Sequence, residues 1–418
     1  MHQELDEAAA NVIAAREFIR QIIVRGLLLL GSSMVLCALT RAQLPIRVPM
    51  DASHWHGLQA DSMGPNGNPE FSQVEGFPQG LMTLKEGSAG LANLTFKDGS
   101  IEYDFKPIGE DAPGIQFRAN GSPGSEDAEE FYFRTSSDCR ASDDCIQYAP
   151  VIHGFMLWDV YPGYQHQAFL LDGWNHVRLV ISGRRMSVYV NNMPRPALSV
   201  GNLESDSKSG SIHLRGPALY ANLVVTPNLT NGLSPQPALD PVAHDPSIVR
   251  HWEVSDLVPI SALTAPAPSD ITRPTMAWHL VDAERGGFVN LNRRYEAGDQ
   301  PAAISWLRYS VYAKQVGVRK VSVGWIGQVW IYVNGKLVGD GKNFYYPATE
   351  RRYPDGRLSL QNGTFDLPLH AGSNEVAIAL YSQVRDAIRP RMKYGWGLMM
   401  RYNDMTGLSF MPGKPQAK

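Results

Sequence analysis

Hydrophobic and polar residues alternate along many short segments between residue 71 and about residue 226. In the segment IEYDF, Ile101, Tyr103 and Phe105 share one side of an extended chain, whereas Glu102 and Asp104 share the other. The same pattern returns in GIQFR and EFYFR, and the segments WNHVRLVIS and RMSVYVN are separated only by a glycine-containing turn. Repeated alternation with a period of two predicts antiparallel strands, and hence a β-sandwich over residues 45–226.

A proline-rich stretch over residues 227–246 separates this region from a second one with the same kind of pattern. The stretch has no apolar periodicity, which is typical of an extended linker. Beyond it, SWLRYSVYA, RKVSVGWIG and NEVAIALYS alternate again, and Asn334-Gly335 within QVWIYVNGKLVGDG is a strong hairpin signal. We therefore expect a second sandwich at residues 247–412. The predicted fold class is all-β, with two β-sandwich (jelly-roll) domains after an N-terminal signal helix.

The amino-terminal segment carries the features of a secretory signal. Arg20 and Arg25 precede an apolar run that ends at small residues near Ala42, which predicts a signal peptide over residues 1–42. The alternative is a retained signal anchor, but the apolar run is shorter than the roughly 20 residues that span a bilayer. We expect a secreted or periplasmic protein that has no membrane partner after cleavage.

Composition narrows the choice of partners. Only 19% of the residues are charged, the formal net charge is -3, and acidic and basic residues are interspersed. Such a chain lacks the basic surface that nucleic acid or an anionic membrane selects, so we expect no nucleic-acid partner. No glycine-rich phosphate loop is present, and we expect no cofactor. His54 and His56 have the spacing of a two-histidine metal site without a third ligand nearby, so we expect no metal.

Cysteine usage agrees with export. Cys37 lies in the predicted signal, which leaves Cys139 and Cys145 as an even pair in an oxidising compartment. We expect one disulfide between them. A zinc site is the alternative, but two thiols without a neighbouring Cys or His pair fall short of the four ligands that zinc takes.

Two groups of segments resemble known families. The first region resembles concanavalin A-like (laminin-G-like) sandwiches of 3-keto-disaccharide hydrolase-like proteins. The resemblance lies in the segments DGSIEYDF, GIQFR, EFYFR, IQYAPVIHG and WNHVRLVISGRRMSVYVN. The second region resembles the galactose-binding-like jelly-roll domain that accompanies many secreted glycosidases. The resemblance lies in the segments VWIYVNGKLV, FDLPLHAGSNEVAIAL and YGWGLMMR. Both resemblances imply a carbohydrate partner, although a fold alone does not define a function.

Candidate catalytic groups are sparse. Sandwich hydrolases often carry Glu-x-Asp-x-Glu on one strand, and the nearest match here has Glu102 and Asp104 but Lys106 in the third position. We expect these residues to form a solvated outer strand face. His153 is considered as an acid or base, against the alternative of a hydrogen-bonded structural histidine. The enzyme hypothesis would gain if two carboxyl groups, for example Glu130 and Asp159, flanked one pocket.

A carbohydrate site is predicted on the polar face of the first sandwich. If GIQFR and EFYFR pair, their polar side chains lie side by side, and QYAPVIHGFMLWDVYPGY adds aromatic and hydrogen-bonding groups. The predicted substrate-binding residues are Gln116, Arg118, Glu130, Tyr132, Arg134, Gln147, Tyr148, His153 and Trp158. Alternation predicts that Arg118 and Arg134 share one face as hydrogen-bond forks, with Tyr132, Tyr148 or Trp158 as stacking platforms. The alternative is that Tyr148 and Trp158 belong to the core.

Three functional hypotheses follow from these patterns. The first is a non-catalytic glycan-binding protein, the second is a glycoside hydrolase with its site on the same sheet face, and the third is a structural or adhesive surface protein. The third gains if the linker or the second sandwich covers the polar face. A second, polar and aromatic loop site is predicted in the second domain, at Asn343, Tyr345, Tyr346, Arg351 and Arg352.

Overall fold

The computed structural model describes residues 44–59, 64–122, 124–135, 141–260, 263–272, 275–295, 303–381 and 393–411. The predicted signal peptide and Cys139 lie outside the described residues. The signal, export and the disulfide therefore stay predictions, although Cys145 is fully buried. Residues 44–418 group as one compact unit, and the predicted domain boundaries within it also stay predictions.

Two eight-stranded antiparallel sheets are built from strands between residues 46 and 227. The strands are β1 Ile46–Arg47, β2 Trp55–Gly57, β3 Glu70–Val74, β4 Phe77–Leu84, β5 Ser88–Leu91, β6 Gly99–Pro107, β7 Gly114–Asn120, β8 Asp127–Phe133, β9 Ile146–Ile152, β10 Phe155–Met156, β11 Gln165–His166, β12 Asn175–Ser182, β13 Arg185–Val190, β14 Leu198–Val200, β15 Ser211–Arg215 and β16 Ala218–Pro227. Sheet A has the order β14-β13-β12-β6-β16-β4-β3, with β1 beside β16. Sheet B has the order β10-β9-β8-β7-β15-β5-β2, with β11 beside β9.

An eight-stranded sheet C and a four-stranded sheet D are built from strands between residues 251 and 410. The strands are β17 His251–Ser255, β18 Val258–Pro259, β19 Trp278–Asp282, β20 Phe288–Asn290, β21 Ala303–Ala313, β22 Gly317–Trp325, β23 Gly327–Val333, β24 Lys336–Asn343, β25 Gly363–Leu369, β26 Gly372–Tyr381, β27 Gly397–Tyr402 and β28 Leu408–Phe410. Sheet C runs β19-β17-β21-β26-β23-β24, with β18 and β28 also paired to β21, and sheet D runs β20-β27-β22-β25. The all-β fold of two sandwiches is confirmed.

Helical structure in the described residues is limited to short 3₁₀ turns. These are Pro162–Tyr164, Pro268–Thr272, Arg285–Gly287, Leu291–Arg293 and Ala348–Glu350. Among the described residues, no helix has the length and apolar character needed to cross a membrane.

The alternating positions form the cores as expected. Ile101, Tyr103 and Phe105 on β6 are buried between sheets A and B, where Phe105 stacks on Phe133 with ring centroids 4.4 Å apart. In sheet C, Asn334 and Gly335 have positive φ angles of 50° and 76° and join β23 to β24. Positive φ at both central residues is what a tight hairpin turn requires, so the hairpin prediction is confirmed.

The outer face of sheet B is also buried around β7, β8 and β9, because the second sandwich packs against it there. Tyr132 and Trp158 of the first sandwich share one apolar cluster with Ile326, Leu358 and Tyr394 of the second. The Tyr345 and Trp158 rings pack nearly perpendicular to each other, with centroids 4.9 Å apart. A strand covered on both faces is buried along its whole length, and β9 is buried at every position.

Candidate functional site

Five outward side chains of sheet B come together as the alternation predicts. We call this set the polar sheet face; it consists of Gln116, Glu130, Tyr132, Arg134 and Gln147. Gln116 lies opposite Glu130 and donates to its Oε2 at 3.0 Å. The Tyr132 hydroxyl and Arg134 Nη2 both donate to Gln147 Oε1, at 2.8 and 2.6 Å. The two strand segments therefore place these five side chains together.

Hydrogen bonds within the polar sheet face leave little for a ligand. Glu130 and Gln147 are fully buried, and Arg215 Nη2 pairs with Glu130 Oε1 at 2.7 Å. Gln147 Nε2 donates to the Trp158 carbonyl at 2.7 Å. This face is the buried side of an interface between two sandwiches. The second sandwich thus covers the polar sheet face, which is the arrangement that favours the structural or adhesive hypothesis.

Two of the predicted binding residues lie elsewhere. Arg118 has a φ of 57° at a register irregularity between Phe117 and Asn120, and this bulge interrupts the alternation. Its guanidinium bonds to Asp98 and to the Gly183 carbonyl at 2.8 and 3.0 Å, so the prediction that it shares a face with Arg134 is wrong. Neighbouring strand residues point to opposite sides, so Tyr148 lies in the core beside Phe131 while Gln147 faces out.

The remaining aromatic and histidine candidates are contacts between the sandwiches. Trp158 is 5% exposed and lies between Tyr345 and Tyr394, which favours its assignment to the core. His153 Nδ1 is 3.0 Å from the Asn292 carbonyl of the second sandwich, the hydrogen-bonded role considered as its alternative. Asp159 is buried at the same interface and accepts from the Gly395 amide at 2.9 Å. Burial raises the pKa of Asp159 to about 7, and the Gly395 amide opposes that shift.

The predicted second site is a loop that docks on Trp158. Arg351 stacks over the Tyr345 ring with its guanidinium carbon 3.9 Å from the centroid, and it pairs with Asp355 at 2.9 Å. Asn343 is fully buried and donates to the Trp325 carbonyl at 2.7 Å. These contacts fix the loop that carries Tyr346 and Arg352.

Glu102 and Asp104 lie on the outer face of sheet A, as expected. His176 from β12 lies between them, with Nδ1 2.7 Å from Asp104 and Nε2 3.7 Å from Glu102. The hydrogen bond to Asp104, followed by that to Glu102, raises the pKa of His176 to about 9. Within the described ranges, no group of three or more His, Cys, Asp or Glu side chains is arranged to hold a metal ion.

A cleft of about 720 Å³ opens between the two sandwiches, and its lining residues do not belong to the polar sheet face. One wall is the segment of residues 201–210 that connects β14 to β15, which we call the β14–β15 segment. The other wall consists of residues 281–294, around the two short turns on either side of β20. The lining residues are Arg184, Asn202, Glu204, Asp206, Val281, Asp282, Glu284, Arg285, Asn290, Arg293 and Arg294.

Arg293 joins the two walls of this cleft. Its Nε pairs with Glu284 Oε1, its Nη1 lies 2.5 Å from Asp206 Oδ2, and its Nη2 donates to the Glu204 carbonyl at 2.6 Å. The Tyr161 hydroxyl donates to Glu284 Oε2 at 2.7 Å. A carboxylate offers about four acceptor positions, so Glu284 keeps acceptor capacity toward the cleft.

Glu204 is the most buried of the four acids that line the cleft, at 6% exposure. It accepts from Asn202 Nδ2 at 2.7 Å and from the Tyr164 hydroxyl at 3.1 Å. Burial raises the pKa of the Glu204 carboxyl; the Asn202 hydrogen bond opposes this, and the negative charge of Glu284 reinforces it. Glu204 and Glu284 therefore face the same solvent-accessible space in different environments.

Sequence reasoning missed this cleft because most of its charged residues lie in irregular segments. Glu204 and Asp206 come from NLESDSKSG, and Glu284 and Arg293 come from DAERGGFVNLNRR, neither of which alternates. The available signal was the density of charged and amide side chains in two loops that follow well-defined strands, since binding residues often lie on such loops.

The described chain is thus an all-β protein of two antiparallel sandwiches with a charged cleft between them. No model of a known family and no curated protein matches it. Among solved structures, it is similar to a Bacillus subtilis protein of unknown function with a galectin-like fold, at 16% identity and a TM-score of 0.32, covering 44% of this chain and 97% of that one.

Two further similar structures have names that refer to carbohydrate. A carbohydrate-binding module from Bacillus subtilis is 12% identical, with a TM-score of 0.27, covering 42% of this chain and 92% of the module. A β-glucanase from Bacillus licheniformis is 12% identical, with a TM-score of 0.31, covering 44% of this chain and 99% of the enzyme. These TM-scores and sequence identities are low, so the similarities say nothing about the site.

Proposed function

We propose that this protein binds a neutral carbohydrate in the cleft between its two sandwiches. The observation that supports the proposal is the composition of the cleft, in which four arginines and four acids surround about 720 Å³ of accessible space. Sugar hydroxyl groups both donate and accept hydrogen bonds, so a mixed set of guanidinium, carboxylate and amide groups matches them. The balance of charge in the lining favours an uncharged ligand over an anionic one.

The rim of the cleft provides the clearest test of binding. Arg294 and Asp206 are partly exposed, at 29% and 54% of their side-chain surface, so substituting them should leave the cores of both sandwiches intact, and Asp206→Asn changes one of the three contacts that Arg293 makes in the cleft. Hydrogen bonds to charged groups contribute about 1.5–3 kcal/mol, which corresponds to a roughly 10- to 100-fold change in affinity. We expect the Arg294→Ala, Asp206→Asn double variant to lose binding by about this factor.

The experiment is an array of neutral gluco-, manno-, galacto- and xylo-oligosaccharides, probed with the protein and the rim variant. The matched control is the Arg47→Ala, Glu86→Gln variant, which changes exposed charges of the first sandwich outside the cleft. Binding by the protein and the control but not by the rim variant supports the proposal. An array without any retained sugar would contradict it and would favour the structural or adhesive hypothesis.

Glycoside hydrolysis is the second candidate function, and the Glu204–Glu284 pair supports it. Hydrolysis uses one carboxylic acid to protonate the leaving oxygen and one carboxylate to activate water, or to attack, on the other side of the bond. Burial and the neighbouring charge suit Glu204 to the acid role, and the contacts of Glu284 with Arg293 and Tyr161 are those of a carboxylate.

Leaving-group chemistry separates hydrolysis from binding. With the sugar that the array selects, Glu204→Gln should lose activity on the methyl glycoside yet keep activity on the 2,4-dinitrophenyl glycoside, whose leaving group needs no proton. Glu284→Gln should lose activity on both. If the protein binds the sugar but releases no product from either glycoside, the hydrolytic function is excluded and binding stands.

A further inference from the structure

We propose that Glu129, a buried residue that does not line the cleft, is a positioning residue for it. Glu129 lies on β8 in the first sandwich and is fully buried. It acts through Tyr148 on the β14–β15 segment, which carries Glu204 and Asp206, and it makes the docking of that segment depend on pH. This inference rests on the proposed function of the cleft.

A chain of two hydrogen bonds links Glu129 to the cleft wall. The Tyr148 hydroxyl donates to Glu129 Oε2 at 2.5 Å, and the same hydroxyl accepts from the Glu204 backbone amide at 2.6 Å. The Ser205 amide also points to Glu129 Oε2, at 3.4 Å. The backbone that orients Glu204 and Asp206 is therefore held directly from the core.

Among the residues that the structure describes, the other attachments of the β14–β15 segment are to groups that do not titrate in the neutral range. Arg184 Nη1 donates to the Leu203 and Ser205 carbonyls at 2.6 and 2.9 Å. Ser205 and Ser207 donate through their hydroxyls to the carbonyls of Val151 and Arg118. Glu129 is the acid among the groups beneath the segment, and Glu204 is the acid that the segment buries.

The charged and titratable groups that face Glu129 come from four elements. Tyr148 lies on β9, Arg118 on β7, Arg184 follows β12, and Glu204 is on the β14–β15 segment. Burial raises the pKa of Glu129 to about 7; the Tyr148 hydrogen bond and the charge of Arg118 oppose this. The docked segment thus favours the protonated acid.

The sign of the effect follows from linkage. If the segment lifts away, Glu129 meets water and returns toward its ordinary pKa of 4.5. Between pH 4.5 and 7 the lifted state then releases a proton that the docked state keeps, so docking weakens as pH rises through this window. One fully exposed acid changes the opening equilibrium by at most about tenfold per pH unit.

Amide hydrogen exchange of Glu204 and Ser205 tests the proposal without any sugar. We expect protection in the protein to fall by about three- to tenfold per pH unit between pH 5 and 7, after correction for intrinsic exchange. Glu129→Gln, which stays neutral, should reduce this slope. The Glu129→Gln, Glu204→Gln double variant should remove it, because the buried Glu204 contributes the same sign. Tyr148→Phe should lower protection at every pH, since it removes the acceptor of the Glu204 amide.

Glu130→Gln is the matched control, because Glu130 is the adjacent buried acid on the opposite side of β8, paired with Arg215. It should leave the slope of the β14–β15 segment unchanged. A Glu129→Gln variant that keeps the full slope of the protein would overturn the inference, as would protection that does not vary with pH in the protein itself.

Binding of the oligosaccharide that the array selects gives the second readout. Glu129→Gln should retain the affinity measured at pH 5 and lose part of the decline toward pH 7, whereas Glu129→Ala should bind weakly throughout. An array without binding removes the proposed function, while the exchange slopes still report whether Glu129 positions the segment. Affinity that declines equally in the protein and in Glu129→Gln contradicts the positioning role and leaves the proposed function intact.

Discussion

The polar sheet face and the cleft contain similar side chains but differ in what surrounds them. On the sheet face, Glu130 and Gln147 are fully buried and bonded to Arg215, Tyr132 and Arg134. In the cleft, Glu284 and Arg293 are also paired, yet both remain partly exposed, at 21% and 26% of their side-chain surface. The type of polar residue therefore does not by itself identify a binding surface. A binding surface also requires that a ligand can reach these residues.

The largest expected effect tests whether Trp158 is an interface residue or a sugar platform. Removing a large buried aromatic side chain costs about 3–5 kcal/mol, so Trp158→Ala should lower the free energy of unfolding by this amount in a denaturant titration. The control is Tyr353→Ala, because Tyr353 is 70% exposed. Unchanged stability together with lost sugar binding would reverse the assignment and return the site to the sheet face.

The next effect is the pH dependence that Asp159 adds to the interface. Its pKa is raised from 3.8 to about 7 in the folded protein, so the unfolded chain ionises first as pH rises. The free energy of unfolding should fall between pH 4 and 7, with a contribution of at most about 4 kcal/mol from this residue. Asp159→Asn should make the decline shallower, since Glu129 contributes in the same window. A variant with an unaltered pH profile would contradict the assignment.

Substitution of Tyr161 tests the cleft side of the comparison between the cleft and the polar sheet face. Its hydroxyl bonds to Glu284 at 2.7 Å and accepts from Asn290 at 3.1 Å, so it holds an acid that lines the accessible space. Tyr161→Phe should reduce stability by about 1 kcal/mol and sugar affinity by up to about tenfold, measured by calorimetry. The counterpart on the sheet face is Tyr132→Phe, which should reduce stability alone. Equal losses of affinity in both variants would not fit the account.

The smallest effect is expected at the loop around Tyr345. Arg351 stacks on Tyr345 and pairs with the exposed Asp355, contacts that contribute about 0.5–1 kcal/mol at a surface. Arg351→Ala should change stability by about this amount and leave sugar affinity within about twofold. A loss of affinity beyond tenfold would show that this loop is the carbohydrate site.

The fold could be predicted from period-two patterns because each strand buries one apolar side against its own core. Phe131 and Phe133 could be assigned to the core of the first sandwich from alternation alone. The left-handed turn at Arg118 could not be predicted, since a bulge depends on one backbone conformation and leaves no mark in the hydrophobic pattern.

The candidate site was harder to predict because it depends on contacts distant in sequence. Gln116, Glu130 and Tyr132 were placed on one face correctly, but covering of that face by Tyr394 and Leu358 comes from the other sandwich. Glu204 and Glu284 line one cleft for the same reason, because they are distant in sequence and no local pattern predicts that they come together.

The structure of the protein in complex with the neutral oligosaccharide best retained on the array tests the central claim most directly. The account predicts sugar density in the cleft, in contact with Glu284, Arg293 and the rim residues Asp206 and Arg294. Sugar density on the polar sheet face instead, between Tyr132 and Trp158 with the second sandwich moved away, would contradict it.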